Sequence, residues 1–174
     1  MFIETERLIV QPLTLTQLKL YVANDGSLEK SLGVGYTPKE IEEDLADALE
    51  NYFLRLLPLH LDQFHFYTLW AIILKDKNLL AGDLCFKGEP DENGEVEIGY
   101  GTYSEFQRLG IMKEAIAGLL KWCHDRHDIS TVIAETETGN NASEKILERN
   151  GFHKDCQGRD NTWWKREVTD GVLK

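Results

Sequence analysis

Residues Gln107-Arg108-Leu109-Gly110-Ile111-Met112 fall where a strand-like segment gives way to a helical stripe. Backbone N–H groups in the first turn of a helix have no internal acceptors, and the peptide dipoles place partial positive charge there. A turn at that position can therefore hold a phosphate. Gly110 would let phosphate oxygens approach the backbone closely, and Arg108 is positioned to add a charge-assisted contact. A single glycine before a helix is equally the mark of an ordinary tight turn, so this segment alone leaves both readings open. Spacing excludes two other phosphate-binding designs. There is no Gly-Lys-Ser/Thr of a P-loop, and no G-x-G-x-x-G followed by an acid about 20 residues on.

Other reactive side chains point to less. Cys85, Cys123 and Cys156 are odd in number and lack C-x-x-C spacing, which suggests neither a disulfide framework nor a zinc site. Cys85 and Cys123 read as packing residues rather than acyl carriers. His60, His65, His124, His127 and His153 show no paired ligand spacing, so no metal is expected. The net charge of −11 argues against nucleic-acid binding, which depends on clustered Lys and Arg. An acidic surface suits a cationic acceptor instead. The opening Met-Phe-Ile-Glu-Thr-Glu-Arg lacks the basic and apolar regions of a secretory signal, and the apolar run Leu69 to Leu74 is too short for a bilayer span. A cytoplasmic protein with no membrane partner is expected.

The elements that must position the turn follow from periodicity. Ile3 to Val10 reads as a strand stopped by Pro12, and Thr14 with Gln17 has capping-box spacing for a short helix through Tyr21. Ser27 to Leu32 forms a further helical turn. Thr37-Pro38-Lys39-Glu40 repeats the start signal, and the apolar spacing from Ile41 to Leu56 predicts an amphipathic helix ending near Pro58. Phe66 to Leu74 and Leu79 to Phe86 read as a hairpin, with Phe64, Phe66, Tyr67 and Trp70 supplying core. Glu95 to Thr102 is the strand before the turn, and the stripe from Ile111 through Cys123 is a long helix reaching His127. Ser130 to Glu135, Ala142 to Asn150 capped by Gly151, Phe152 to Cys156 and Thr162 to Val168 complete a strand, a helix and two strands. Trp163 and Trp164 must face opposite sides of the last strand, one toward core and the other free to wall an acceptor pocket. At 174 residues with no linker or repeat, residues 1–174 are expected to form one domain. Hairpins first and βα crossovers second predict an α/β sheet of mixed direction.

Four separated segments resemble the GNAT acetyltransferase superfamily, and within it the RimJ/RimL-like branch of ribosomal-protein N-terminal acetyltransferases. They are Glu4-Thr5-Glu6-Arg7-Leu8-Ile9-Val10, Glu97-Ile98-Gly99-Tyr100, Gln107-x-x-Gly110-x-Met112 followed by Glu114-Ala115, and Asn140-Asn141-Ala142-Ser143 with Ile146-Leu147 and Asn150-Gly151-Phe152. The resemblance implies a mixed six- to seven-stranded sheet, α/β or α+β by scheme, flanked by about four helices. Its fourth and fifth strands would splay to admit the pantetheine arm of acetyl-CoA. Gln107, Arg108, Leu109, Gly110, Ile111 and Met112 would hold the pyrophosphate through backbone N–H groups. Tyr100, Gly101 and Thr102 would pair with the pantetheine amides as an added strand does. Asn140 would hold the pantetheine and Ser143 would lie close to the sulfur. Family members are often monomers or homodimers.

Direct acetyl transfer to an amine in a ternary complex needs a neutral nucleophile, a stabilised oxyanion and a hydrogen bond to the departing thiolate. A carboxylate near the amine serves the first need. Glu97 is the leading candidate because it precedes the expected acetyl site; Asp83 and Glu95 are runners-up. A backbone N–H near Gly99 to Gly101 would serve the oxyanion. Many superfamily members carry a tyrosine acid four residues before the helix-ending glycine, but here that residue is Leu147. Ser143 is then the expected donor to sulfur. The acceptor is an amine-bearing small molecule or protein N-terminus, and a non-catalytic CoA-binding or sensory domain is the alternative.

Overall fold

The computed structural model describes residues 1–168. The last residues of the expected 1–174 domain lie outside the described residues. One mixed sheet runs in the order β1-β2-β3-β4-β5-β6-β8-β7. Its strands are β1 Ile3–Glu4, β2 Leu8–Pro12, β3 Leu69–Leu74, β4 Leu79–Phe86, β5 Glu95–Thr102, β6 Thr131–Glu137, β7 His153–Gln157 and β8 Asn161–Glu167. Neighbours from β1 to β5 are antiparallel, β5 and β6 are parallel, and β8 inserts antiparallel between β6 and β7.

The mixed α/β architecture follows the expectation, with eight strands in place of six to seven. The extra strand comes from the first segment. Thr5 N donates to the Leu8 carbonyl at 3.0 Å, which folds β1 back on β2 with Ile3 opposite Val10. Pro12 does not stop β2 but closes it opposite Trp70.

Among the described residues the helices are α1 Leu15–Ala23, α2 Ser27–Leu32, α3 Glu43–Ala48, α4 Leu54–Leu56, α5 Ile111–His124 and α6 Asn141–Arg149, six where about four were expected. Thr14 and Gln17 form the reciprocal capping box at α1. Thr37 does not start a helix: its hydroxyl is buried without a partner, and α3 begins only at Glu43. Tertiary contacts override the local signal, because Lys39 reaches inward to Glu29 at 2.8 Å and its carbonyl accepts from Asn24 Nδ2 at 3.1 Å. A π-helical turn, Leu49–Phe53, separates α3 from α4 and buries Leu49 and Phe53.

The amphipathic stripe of α5 buries Ile111, Met112, Ala115, Ile116, Leu119, Leu120 and Cys123. At roughly 1.5–3 kcal/mol for a large apolar side chain, these contacts fix the helix, and its first turn with it. Trp122 extends the anchor into the aromatic cluster of Phe66, Trp70 and Phe86, with ring centroids 5.4–6.2 Å from its own. Gly118 lets β1 lie close against α5, since a Cβ there would meet the Thr5 and Ile3 methyls at 2.9 and 3.0 Å. Trp164 is buried with its indole N–H on Thr136 Oγ1 at 3.0 Å, while Trp163 is half-buried. Among the described residues no helix is long and apolar enough to cross a membrane.

Candidate active site

The parallel ladder between β5 and β6 runs from Glu95 opposite Thr131 to Ile98 opposite Ala134. Both strands continue beyond it, but they part. From Gly99 to Thr102, β5 keeps only its β4 neighbours, while β6 from Glu135 to Glu137 keeps only β8. The β5 edge facing the gap thus offers backbone groups that need an external partner. An extended chain carrying amides meets that need.

At the mouth of the gap lies the turn before α5. Arg108 has φ 62° and Gly110 φ 74°. Gly110 takes this left-handed geometry without steric cost, whereas Arg108 bears roughly 1–2 kcal/mol for it. Strain of this kind persists where surrounding contacts hold it and concentrates at functional turns. Glu114 N donates back to the Gly110 carbonyl at 3.1 Å, but the N–H groups of Ile111, Met112 and Lys113 make no backbone hydrogen bond among the described residues. They form the N-terminal, partly positive end of α5. Gln107 Nε2 reaches the Thr102 carbonyl at 3.5 Å, tying the turn to the end of β5.

The gap opens into a cleft of about 1100 Å³. Pockets for one small ligand span about 300–1000 Å³, so this one has room for a cofactor arm and an acceptor together. Its floor is hollow because Gly99 and Gly101 stand opposite Cys85 and Asp83. A Cβ at Gly101 would lie 4.0 Å from Asp83 Oδ1, and one at Gly99 would lie 3.4 Å from Cys85 Sγ.

Asp83 is buried and accepts from the Tyr21 hydroxyl at 2.8 Å. Burial pushes its carboxyl up to about 6, against the opposing hydrogen bonds from Tyr21 and Tyr103 and the charge of Lys39. The same burial, with the neighbouring carboxylate, raises both phenols far above their ordinary range, so they remain protonated donors. Lys39 is itself buried in its ion pair with Glu29, and its ammonium lies 5.3 Å from the Tyr21 ring centroid. Burial and the Asp83 charge push the Cys85 thiol up to about 12. It lines the cleft but offers no thiolate.

The structure brings some of the sequence-predicted residues to this cleft, whereas Arg108, Leu109, Gly110, Ile111, Met112 and Ser143 are not among its lining. Tyr100, Gly101, Thr102, Gln107 and Asn140 line it directly. Asn140 caps α6, its Oδ1 accepting from Ser143 N at 3.1 Å, and the Ser143 hydroxyl lies 2.7 Å from that of Tyr100. Leu147 is fully buried in the core, and Tyr100 supplies a phenol beside Ser143 from the other side of the gap. Glu97 is ion-paired with Lys87, and Glu95 with Lys165 at 2.6 Å. Neither carboxylate lines the cleft. Trp163 also lies away from it, so it does not wall an acceptor pocket. Reading the sequence missed Tyr21, Tyr103 and Lys39. The available signal was Asp83 itself, an acid inside the apolar run Leu80-Ala81-Gly82-Asp83-Leu84, because a buried carboxylate needs polar partners from elsewhere.

Comparison with known families agrees with this geometry. The family model described as an acetyltransferase (GNAT) domain matches residues 7–153. The chain belongs to the GNAT acetyltransferase family. This acetyltransferase is 32% identical over 158 residues to the uncharacterized N-acetyltransferase YjdG of Bacillus subtilis (strain 168), covering 89% of this chain and 93% of that one. Its fold is similar to that of the ribosomal-protein-S5-alanine acetyltransferase from Vibrio fischeri, with TM-score 0.71 at 19% identity over 100% of this chain and 99% of the other. It is also similar to that of RimL, a ribosomal L7/L12 alpha-N-protein acetyltransferase solved with coenzyme A, with TM-score 0.67 at 18% identity over 96% and 98%. The GNAT assignment accounts for the split sheet and for the helix end that faces it.

Proposed function

We propose that this acetyltransferase moves the acetyl group of acetyl-CoA directly to a primary amine, a protein N-terminus or a small amine, in a ternary complex in the cytoplasm. The observation that carries this reading is one cleft lined by Gln107 of the turn before α5, by the unpaired β5 edge and by Asp83. The pyrophosphate would sit on the N–H groups of residues 107–112, and the pantetheine amides on the β5 edge with Asn140 beside them. At neutral pH Asp83, raised to about 6, is mostly ionised yet still a competent proton acceptor. It would take the amine proton, directly or through water, as nitrogen attacks the thioester carbonyl. A backbone N–H near Gly99 to Gly101 would stabilise the oxyanion. The carbon–sulfur bond then breaks, and Ser143, 2.7 Å from the Tyr100 hydroxyl, would donate a hydrogen bond to the departing thiolate, which takes its proton from solvent.

Asp83 is preferred to Glu97 because Asp83 lines the cleft, whereas Glu97 does not and is held by Lys87. Glu97→Gln is therefore expected to change kcat by less than about twofold, as the half-buried carboxylate does not line the cleft. Ser143→Ala should lower kcat by about 10- to 100-fold, the span for loss of one hydrogen bond to a charged group. Steady-state thiol release with a reactive amine measures both, and a large loss in Glu97→Gln with none in Ser143→Ala would reverse these roles. The function itself is tested by calorimetric titration with acetyl-CoA beside thiol release over an amine panel. Binding without amine-dependent release would argue against transfer to amines.

A further inference from the structure

We infer that Arg7 is a positioning residue for the pyrophosphate turn, a role that rests on the proposed use of coenzyme A. Arg7 lies in the short connection between β1 and β2, far in sequence from the turn it meets. Its Nε donates to Glu114 Oε2 at 2.6 Å and its backbone N–H to Glu114 Oε1 at 2.8 Å. Thr5 Oγ1 donates to the same Oε1 at 2.6 Å. Arg7 Nη1 donates to the Leu109 carbonyl at 3.1 Å, and Nη2 lies 3.7 Å from the Cβ position that Gly110 leaves empty.

One guanidinium thus joins the loop ahead of α5 to the end of its first turn. Two consequences follow for an anion placed on that turn. Leu109 sits between the left-handed residues Arg108 and Gly110, and holding its carbonyl to Arg7 fixes the peptide planes whose N–H groups must converge. Glu114 is a fixed negative charge one turn from the phosphate position. Arg7 and Thr5 hold it ionised, its carboxyl drawn below the usual range by their hydrogen bonds against the opposing effect of burial. Without Arg7 that charge would face a pyrophosphate uncompensated. Lysine cannot replace it, because a single ammonium lacks the planar fork that spans Glu114 and Leu109 together.

The role separates from general stability by ligand. Dissociation constants are to be measured by calorimetry for coenzyme A and 3′-dephospho-CoA, and by ligand-observed NMR titration for pantetheine, which lacks the pyrophosphate. Arg7→Ala is expected to weaken coenzyme A and dephospho-CoA by the same factor, about 10- to 100-fold for charge-assisted bonds, and pantetheine by less than about twofold. Arg7→Lys should fall within about threefold of Arg7→Ala. Arg7→Gln, which keeps a neutral donor but not the charge or the fork, should show the same pyrophosphate-selective pattern at about 3- to 10-fold or more and serves if Arg7→Ala does not fold. Equal losses for all three ligands, or no loss for coenzyme A, would overturn the role. So would loss for coenzyme A alone, which would move Arg7 to the 3′-phosphate, or restoration by lysine, which would reduce it to a charge. Absence of coenzyme A binding by the unmodified chain would instead overturn the cofactor reading itself.

Discussion

Asp83→Asn is expected to lower kcat/KM at pH 7.5 by about 10²- to 10⁴-fold, the span for loss of a general base, while making the fold more stable. The two effects share one cause. Asp83 is largely buried at the cleft floor, and burial raises its carboxyl from the ordinary 3.8 to about 6. A carboxyl raised on folding binds its proton more tightly in the native state than in the unfolded chain. Its contribution to stability is therefore complete below the unfolded value and is lost as pH rises through the folded one. By pH 7 the ionised group costs about 3 kcal/mol relative to its protonated form. Asparagine has no charge to bury and should recover much of that. Melting temperatures of the two proteins should differ most above pH 6 and converge toward pH 4. The unmodified enzyme should also show an ascending limb in kcat/KM near pH 6 that the variant lacks. A loss under about tenfold with the limb intact would remove Asp83 as the base and return Glu97 to that position.

Lys39→Met should be the most damaging single change to stability. Lys39 and Glu29 form a pair with side chains 0% and 2% exposed, and Glu29 Oε2 already lacks a partner. Removing the ammonium leaves a carboxylate buried alone, at a cost of about 3–5 kcal/mol. For a chain of this size that corresponds to roughly 6–20 °C in melting temperature. Replacing both partners in Lys39→Met/Glu29→Leu should recover most of the loss, since an apolar pair needs no desolvation of charge. Denaturant titration of the three proteins checks this, and a single variant within about 1 kcal/mol of the parent would show the pair to be dispensable. The charge also reaches the active site, because Lys39 pulls Asp83 downward. In the double variant the ascending limb should move to higher pH.

The local devices that the sequence announces are those whose partners lie within a few residues. The Thr14–Gln17 box and the glycine-led start of α5 are both set inside a short window. Thr37-Pro38-Lys39-Glu40 carries the same local pattern and fails, because two longer-range bonds to Lys39 outcompete a helix nucleus that gains only one bond for several fixed dihedrals. The opening strand was legible as a strand, but its fold into β1 and β2 depends on Glu114, on the far side of the sequence.

Sequence alone therefore determined the fold class and the turn that opens α5, since periodicity and capping are short-range properties of the chain. Only the tertiary structure decided which carboxylate is at the site. Glu97 and Asp83 look alike as letters in strands, yet one is paired with Lys87 and does not line the cleft, and the other is desolvated at its floor under Tyr21. Burial and the charges that surround a group set its proton affinity, and both are sums over residues that only folding brings together.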